Sequence, residues 1–357
     1  MLLFFLFWYG FCIILDVMYN NITKMRKFAS GIVSVFAESI LSLFYKGVVK
    51  EHQYGNWGEF MKRSCTGHRL IPMFLLVFLL IASTSIAATM PDFVRLLPVT
   101  ENLTGPTAVA LDGSEYIYVT ESVNNILHIY TQGGEYIESL NGLEKPLSVA
   151  VDANGRIYVG NKTSGNVEVY DADLNLILKL GNGDGEFGQP SSIVISNSGM
   201  IYVADSVDDQ VKVYNPDGTA HSTIGSNGSG DGEFNFPTGV TINETDNELI
   251  VVDRQLSTDV FGDQAQGARV QIFEMNGTFK RSFGEYGVGE GLMQKPVGVA
   301  VDLEGRIYVA DSMQHVVHVF DGNDGTSLGS IHDVDNPMRT PLQVVYGASN
   351  RNFCNIP

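Results

Sequence analysis

Cysteine is scarce in this chain of 357 residues, and the three present are badly placed for bridging. Cys12 and Cys65 fall in an N-terminal leader, which leaves Cys354 alone in the remainder. No intramolecular disulfide can staple the main body, so its stability has to come from a packed core. Basic residues are also few: 22 Lys and Arg stand against 40 Asp and Glu. Residues 1–87 take 8 of the basic and 4 of the acidic side chains, so 88–357 hold 14 against 36, a net charge of −22. Nucleic-acid binding needs clustered cations to replace phosphate counterions, and a body this acidic is excluded from that class. Gly-x-Ser-x-Gly, a phosphate-binding glycine loop and Cys-x-x-Cys are missing as well. The sequence therefore carries no nucleophile elbow, nucleotide cradle or redox pair.

What the chain does have is repetition. Pro-Leu-Ser-Val-Ala-Val-Asp-Ala-Asn-Gly-Arg-Ile-Tyr-Val at 146–159 returns as Pro-Val-Gly-Val-Ala-Val-Asp-Leu-Glu-Gly-Arg-Ile-Tyr-Val at 296–309. Weaker copies begin at Pro106, Pro190 and Pro237, and a sixth opens at Pro341. A period of roughly 40–50 residues filled with short strands is the signature of a β-propeller. In the second copy, β-branched and aromatic runs bounded by Asp, Asn and Gly predict four strands and three turns. Apolar character on both sides of runs such as Ile201-Tyr-Val-Ala204 predicts blades packed on both faces. Gly155, Gly199 and Gly305 share one turn position, which predicts a positive φ there.

The phrase Pro-x-x-Val-Ala-Val-Asp…Gly-x-Ile-Tyr-Val-Ala-Asp-Ser…Val-x-Val-Phe, clearest at 296–320 and 190–214, resembles the NHL-repeat family of six-bladed propellers. The linkers Gly181-Asn-Gly-Asp-Gly-Glu-Phe187 and Gly230-Asp-Gly-Glu-Phe234 match that family's connectors, and the likeness covers roughly 92–353. It implies an all-β fold of five complete four-stranded blades and an incomplete sixth, with blades starting near 106, 146, 190, 237, 296 and 341, preceded by a hydrophobic or helical leader. The fourth repeat carries an insertion at 254–268 between its second and third strands. The sixth stops soon after Pro341-Leu-Gln-Val-Val-Tyr346, at the stub Arg351-Asn-Phe353, with 354–357 as a tail. Asp92–Pro98 is placed to add an outer strand to that blade. The middle strands would still be missing, so the chain reads as a truncated or frameshifted product with an aggregation-prone open edge.

Residues 61–87 read as a secretory signal peptide: a basic stretch through Arg69, the apolar run Leu70–Ala82, then Ser85 and Ala87 before a cleavage site. The apolar run is shorter than the ~20 residues that span a bilayer. Residues 1–60 read as a non-native upstream extension, or as an authentic membrane segment. Export to the cell envelope or beyond is expected after cleavage near Ala87, with membrane anchoring only through an uncleaved leader.

In a propeller the connections from fourth to first strand and from second to third emerge on one face. That face receives 181–189, 225–236, 284–295 and the insertion, and with them the candidate contact residues Asp184, Glu186, Asp231, Glu233, Arg254, Asp259, Phe261, Asp263, Glu285 and Glu290. Such loops suit a protein or glycan partner. No cofactor is expected, calcium being the one ion these acidic loops would suit. The resemblance also admits enzymes that gather metal ligands around the channel. Beside the anchor prolines stand Thr107, Leu147, Ser191, Thr238, Val297 and Leu342, with no histidine among them. His128 and His318 share a third-strand register with Glu168, Lys212 and Gln271, which reads as a tolerant polar position away from the axis. Asp112, Asp152 and Asp302 end first strands and Asp205, Asp253 and Asp311 end second strands, all explicable as turn caps. The reading is a non-catalytic exported binding module, with a divalent-metal-dependent lyase or lactonase as the alternative.

Overall fold

The computed structural model describes residues 103–114, 116–181, 186–257, 264–265, 267–332, 341–347 and 351–354, with the side chains of 257, 264–265 and 347–354 excepted. Residues 1–60, the expected signal peptide at 61–87 and Asp92–Pro98 lie outside them. No helix occurs among the described residues.

Five four-stranded antiparallel blades span 106–141, 146–180, 190–224, 237–283 and 296–331, each with its strands in sequence order. Blade 2 illustrates the unit: Pro146–Val151, Ile157–Asn161, Asn166–Tyr170 and Leu176–Leu180. The sixth position is a hairpin of Val344–Gly347 and Arg351–Cys354, so the stub does form a second strand. Its first strand touches the first strands of both blade 5 and blade 1, which closes a ring of six inner strands. The insertion in blade 4 begins as a small ladder that pairs Leu256 with Ala265 and Ser257 with Gln264.

The core is a set of layers between blades, one at each of the six junctions. Tyr202, Val211 and Val213 of blade 3 meet Val240, Leu249 and Val251 of blade 4, for example. Val109, Val119 and Tyr130 of blade 1 meet Val345 of the sixth position. Each large side chain buried this way contributes about 1.5–3 kcal/mol, and this is why both strand faces are apolar.

Every complete blade opens with a proline and a bulge immediately after it. The pairing of Pro237 with Asp253 jumps to Gly239 with Val252, leaving Thr238 outside the ladder. Proline lacks the N–H a ladder needs, so the first position of a strand suits it. The freed side chain then crosses to the next blade. The hydroxyls of Thr107, Ser191 and Thr238 donate to the carbonyls of Pro146, Pro237 and Pro296 at 2.9, 3.1 and 3.1 Å. In blade 2, where Leu147 has no hydroxyl, Ser148 reaches the Pro190 carbonyl at 2.8 Å instead. The non-histidine residues beside the anchor prolines thus include the stitches between blades.

The turn reading holds in detail. Gly155, Gly199 and Gly305 have φ of 78°, 83° and 80°. Asp152 Oδ1 accepts the N–H groups of Asn154 and Arg156, both at 2.9 Å, and its other oxygen accepts the Tyr158 hydroxyl at 3.2 Å.

Candidate functional site

The face receiving the fourth-to-first and second-to-third connections is built around a buried polar clasp repeated in each complete blade. The last residue of the second strand is Glu121, Asn161, Asp205, Asp253 or Asp311, and all five are buried. Each accepts backbone N–H groups from the linker just before its blade. Asp205 takes Gly188 at 2.9 Å and Gln189 at 2.8 Å, and Asp311 takes Gln294 at 2.6 Å and Lys295 at 3.1 Å. Glu144 donates to Asn161 Oδ1 at 3.1 Å and Asn235 to Asp253 Oδ1 at 2.9 Å. The N–H groups of Thr104 and Gly105 go to Glu121.

The third-strand register that reads as merely tolerant in sequence meets this clasp. His128 Nε2 lies 3.0 Å from Glu121 Oε2, and Lys212 Nζ donates to Asp205 Oδ2 at 2.9 Å. His318 Nε2 lies 3.7 Å from Asp311 Oδ2, and Asn161 donates to Glu168 at 3.0 Å. In blade 4, Gln271 turns instead to the linker, donating to the Glu233 carbonyl at 2.7 Å, while Arg269 Nε pairs with Asp253 at 3.0 Å. The position varies because each blade matches a different cap, not because the site is free.

Burial and bonding set the acidity of these carboxyls. Burial pushes Asp253 up to about 6, against the pull of Asn235 and Arg269. Burial also raises Asp311, but His318 and the N–H groups of Gln314, Gln294 and Lys295 more than offset it and hold the carboxyl at about 2. An Asp in the unfolded chain titrates near ~3.9, so Asp311 contributes stability that is present above pH ~4 and lost as pH falls through 2. Asp253 works in the opposite sense, losing stability as pH rises from ~4 to 6. Asp311→Asn keeps a carbonyl acceptor, as Asn161 does naturally. Its stability in urea should therefore fall less than the wild type's between pH 4 and 2, by about 2 kcal/mol, the rest of the fall belonging to other low-titrating carboxyls such as Asp152 and Glu248. An equal fall in the two proteins would refute the assignment.

The candidate contact residues divide into three groups. Asp184, Asp259, Phe261 and Asp263 lie outside the described residues. Glu186 and Glu233 hold the linkers in place. Glu186 accepts the Tyr214 hydroxyl at 3.0 Å, and its carbonyl accepts from the Lys212 ammonium. Glu233 accepts the Gly230 N–H at 2.9 Å. Asp231, Glu285 and Glu290 remain exposed, and Arg254 lies half-buried with its guanidinium over the Phe236 ring at 5.9 Å.

Sequence reading passes over two features of this face. Three residues before each of four anchor prolines, Leu143, Phe187, Phe234 and Met293 are buried between blades. These apolar latches are visible as an offset from the proline. Two residues after the clasp acid, Val123, Val207 and Met313 stand 68%, 55% and 53% exposed at equivalent places, with Tyr286 and Val288 beside them on the same face. That ring shows only when exposure is known. On the opposite face a small polar cleft is lined by Asn243, Asp246, Glu304 and Asn323. Among the described residues, no three His, Cys, Asp or Glu gather to hold a metal ion.

Comparison with known proteins agrees with this architecture. A family described as a 6-bladed beta-propeller matches residues 186–258. No curated protein sequence matches the chain. A gluconolactonase from Xanthomonas campestris superposes with a TM-score of 0.57 at 19% identity, covering 76% of this chain and 90% of that one. Virginiamycin B lyase from Staphylococcus aureus gives 0.53 at 14% identity, over 73% of this chain and 81% of the lyase. A streptogramin B lyase gives 0.53 at 13%, over 72% and 92%. At these identities the likeness speaks for the fold alone. In fold, this chain is a β-propeller.

Proposed function

We propose that the chain is an exported, non-catalytic binding module whose contacts are made by the loop face bearing the 254–268 hairpin. The observation that carries this reading is the ring of exposed apolar residues. Val123, Val207 and Met313 repeat at one position around a face otherwise rich in glycine and carboxylate. Single exposed apolar side chains need no explanation, but a repeated set gathered on one face marks a contact surface. Asp231, Glu285 and Glu290 add a polar, acidic rim, the arrangement of a protein or glycan interface. In the cell envelope or outside the cell, such a module would hold its partner through loops while the blades stay rigid.

The triple variant Val123→Ser, Val207→Ser, Met313→Ser tests the proposal. With unchanged thermal stability, it should retain less than about a tenth of the partner that full-length protein recovers from an envelope extract. Equal recovery would sink the apolar-ring reading.

A second reading, a divalent-metal-dependent lyase or lactonase, draws on the likeness to the gluconolactonase and lyase structures. Elemental analysis of the purified protein, with a lactone-hydrolysis assay, separates the two. Stoichiometric calcium or zinc together with turnover would favour the enzyme.

A further inference from the structure

The outermost strand of each blade is hydrogen-bonded on one side only. Tyr136–Asn141, Leu176–Leu180, Ala220–Ile224, Phe279–Phe283 and Ser327–Ile331 each end the strand order of their sheet. Among the described residues, no strand pairs with their other side. Such an edge presents unpaired N–H and C=O groups, and it invites a further strand unless its side chains discourage one.

Four of the five edges carry a guard. Blade 3 presents the exposed polar run His221-Ser-Thr223, and blade 4 the cations Lys280 and Arg281. Blade 5 is half-buried throughout and interrupted by Gly329, which weakens a strand. In blade 1 the exposed pair Tyr136 and Ile137 is followed at once by the exposed carboxylate Glu138. Blade 2 has no such device. Leu176 and Ile177 are 47% and 50% exposed, Leu178 follows half-buried, and Lys179 is already paired with Glu168 at 2.6 Å. The strand registers make the contrast position by position: Leu176, Ile177 and Leu178 stand where blade 3 has Ala220, His221 and Ser222. Packing accounts for their neighbours only. Leu178 and Leu180 fill the junction with blade 3, and Leu174 of the preceding turn fills the junction with blade 1, which leaves Leu176 and Ile177 to solvent. A run of apolar residues at an exposed edge is a fault in a fold unless something covers it.

Charge decides what the cover is. Asp171 and Asp173 lie in the turn immediately before the strand, and Asp173 is exposed. On blade 1, Glu138 and Leu140 pair with Ile129 and Leu127, which pack in the junction with blade 2. Residues paired across two strands share a face, so Glu138 emerges on the side of blade 1 that looks toward this edge. These carboxylates favour a basic occupant. They repel a second copy, which carries the same acids beside its own edge and the same net charge of −22 over 88–357. The form of the occupant follows from the edge itself. A strand added there gains main-chain hydrogen bonds from the unpaired groups and sets alternate side chains on alternate faces.

We propose that the outer strand of blade 2, Leu176–Leu180, is a docking edge for an extended segment of another protein in which apolar residues alternate with Lys or Arg. The segment adds a fifth strand to the blade, with its apolar side chains covering Leu176 and Ile177 and its cations set toward Asp173 and Glu138. This surface lies on the perimeter of the propeller. It does not involve the loop face, and it stands whether or not the apolar ring of that face binds a partner.

Fluorescence anisotropy of a labelled peptide, Thr-Val-Lys-Val-Lys-Val-Thr, titrated with the full-length protein tests the assignment. Saturable binding is expected, weaker as salt is raised because the acids beside the edge are then screened. The double variant Leu176→Thr, Ile177→Thr keeps strand-forming residues and should bind about tenfold more weakly. His221→Thr, on the equivalent edge of blade 3, should bind like the wild type. Unchanged thermal melting shows that both variants are folded. With the wild-type protein, a peptide of the same sequence with alternate backbone amides N-methylated should also lose about tenfold, since it cannot complete a ladder. Absence of saturable binding, equal binding of the N-methylated peptide or of Thr-Val-Glu-Val-Glu-Val-Thr, or undiminished binding by the double variant would each overturn the proposal. Dimerisation of the protein that the double variant abolishes would overturn it too, by making the occupant a second copy.

Discussion

Replacing Phe234 by Ala is expected to lower the urea midpoint by the equivalent of about 3–5 kcal/mol, the usual loss for removing a fully buried aromatic side chain. The ring is wholly buried between blades 3 and 4, tilted 53° against Phe273 with centroids 5.5 Å apart. Gly225 at φ 81° leaves the space that the ring fills, since a Cβ there would overlap the Phe234 ring. The surrounding backbone cannot collapse into the void, because the linker is held on either side. The Gly228 N–H donates to the Phe234 carbonyl at 2.8 Å, and the Phe234 N–H donates to the Ser226 carbonyl at 2.8 Å. Tyr286→Ala, on an exposed side chain in the next linker, should shift the midpoint by no more than about 0.5 kcal/mol. A shift in Phe234→Ala no larger than that of the control would mean that the latch does not hold the junction.

Asp205→Ala should be comparably damaging, at about 3–5 kcal/mol, because it breaks a buried charge pair on one side only. The carboxylate is fully buried. Its loss leaves the Gly188 and Gln189 N–H groups without their acceptor and removes one of the two carboxylates bound by Lys212. Asp205→Asn should cost markedly less, since Asn161 performs the same capping in blade 2 with an amide oxygen. Urea unfolding of the two variants provides the comparison. Equal losses from Ala and Asn would assign the stability to the charge and not to the cap.

Much of the fold is legible in the residues, because period and turn chemistry are local. The anchor prolines, the alternation of Val, Ile and Tyr, and the Asp-x-x-Gly turns each act within a few positions, and they place the strands where they form. The clasp acids are equally legible as turn caps. Their third-strand partners are not, because Lys212 and His318 meet the cap seven residues away through a register that only strand pairing defines. The stitches are harder still: Thr238 reaches a carbonyl 58 residues on, and nothing in its own repeat marks it out. For the candidate site the signal divides the same way. Acidity of the loops is a property of composition, but whether Glu186 and Glu233 face solvent or hold a linker depends on what packs beneath them.

The stitches also separate two dimensions of the molecule. Hydroxyl-to-carbonyl bonds at the start of the inner strands of blades 1 to 4 set the spacing of those blades around the ring, and they involve only residues within two positions of the anchor prolines. Thr238, in the blade with the added hairpin, makes its bond at the same 3.1 Å as Ser191 in the blade without one. Growth on the loop face is thus mechanically uncoupled from the perimeter. Blades of this kind can lengthen on that face while the hub beneath them keeps one gauge.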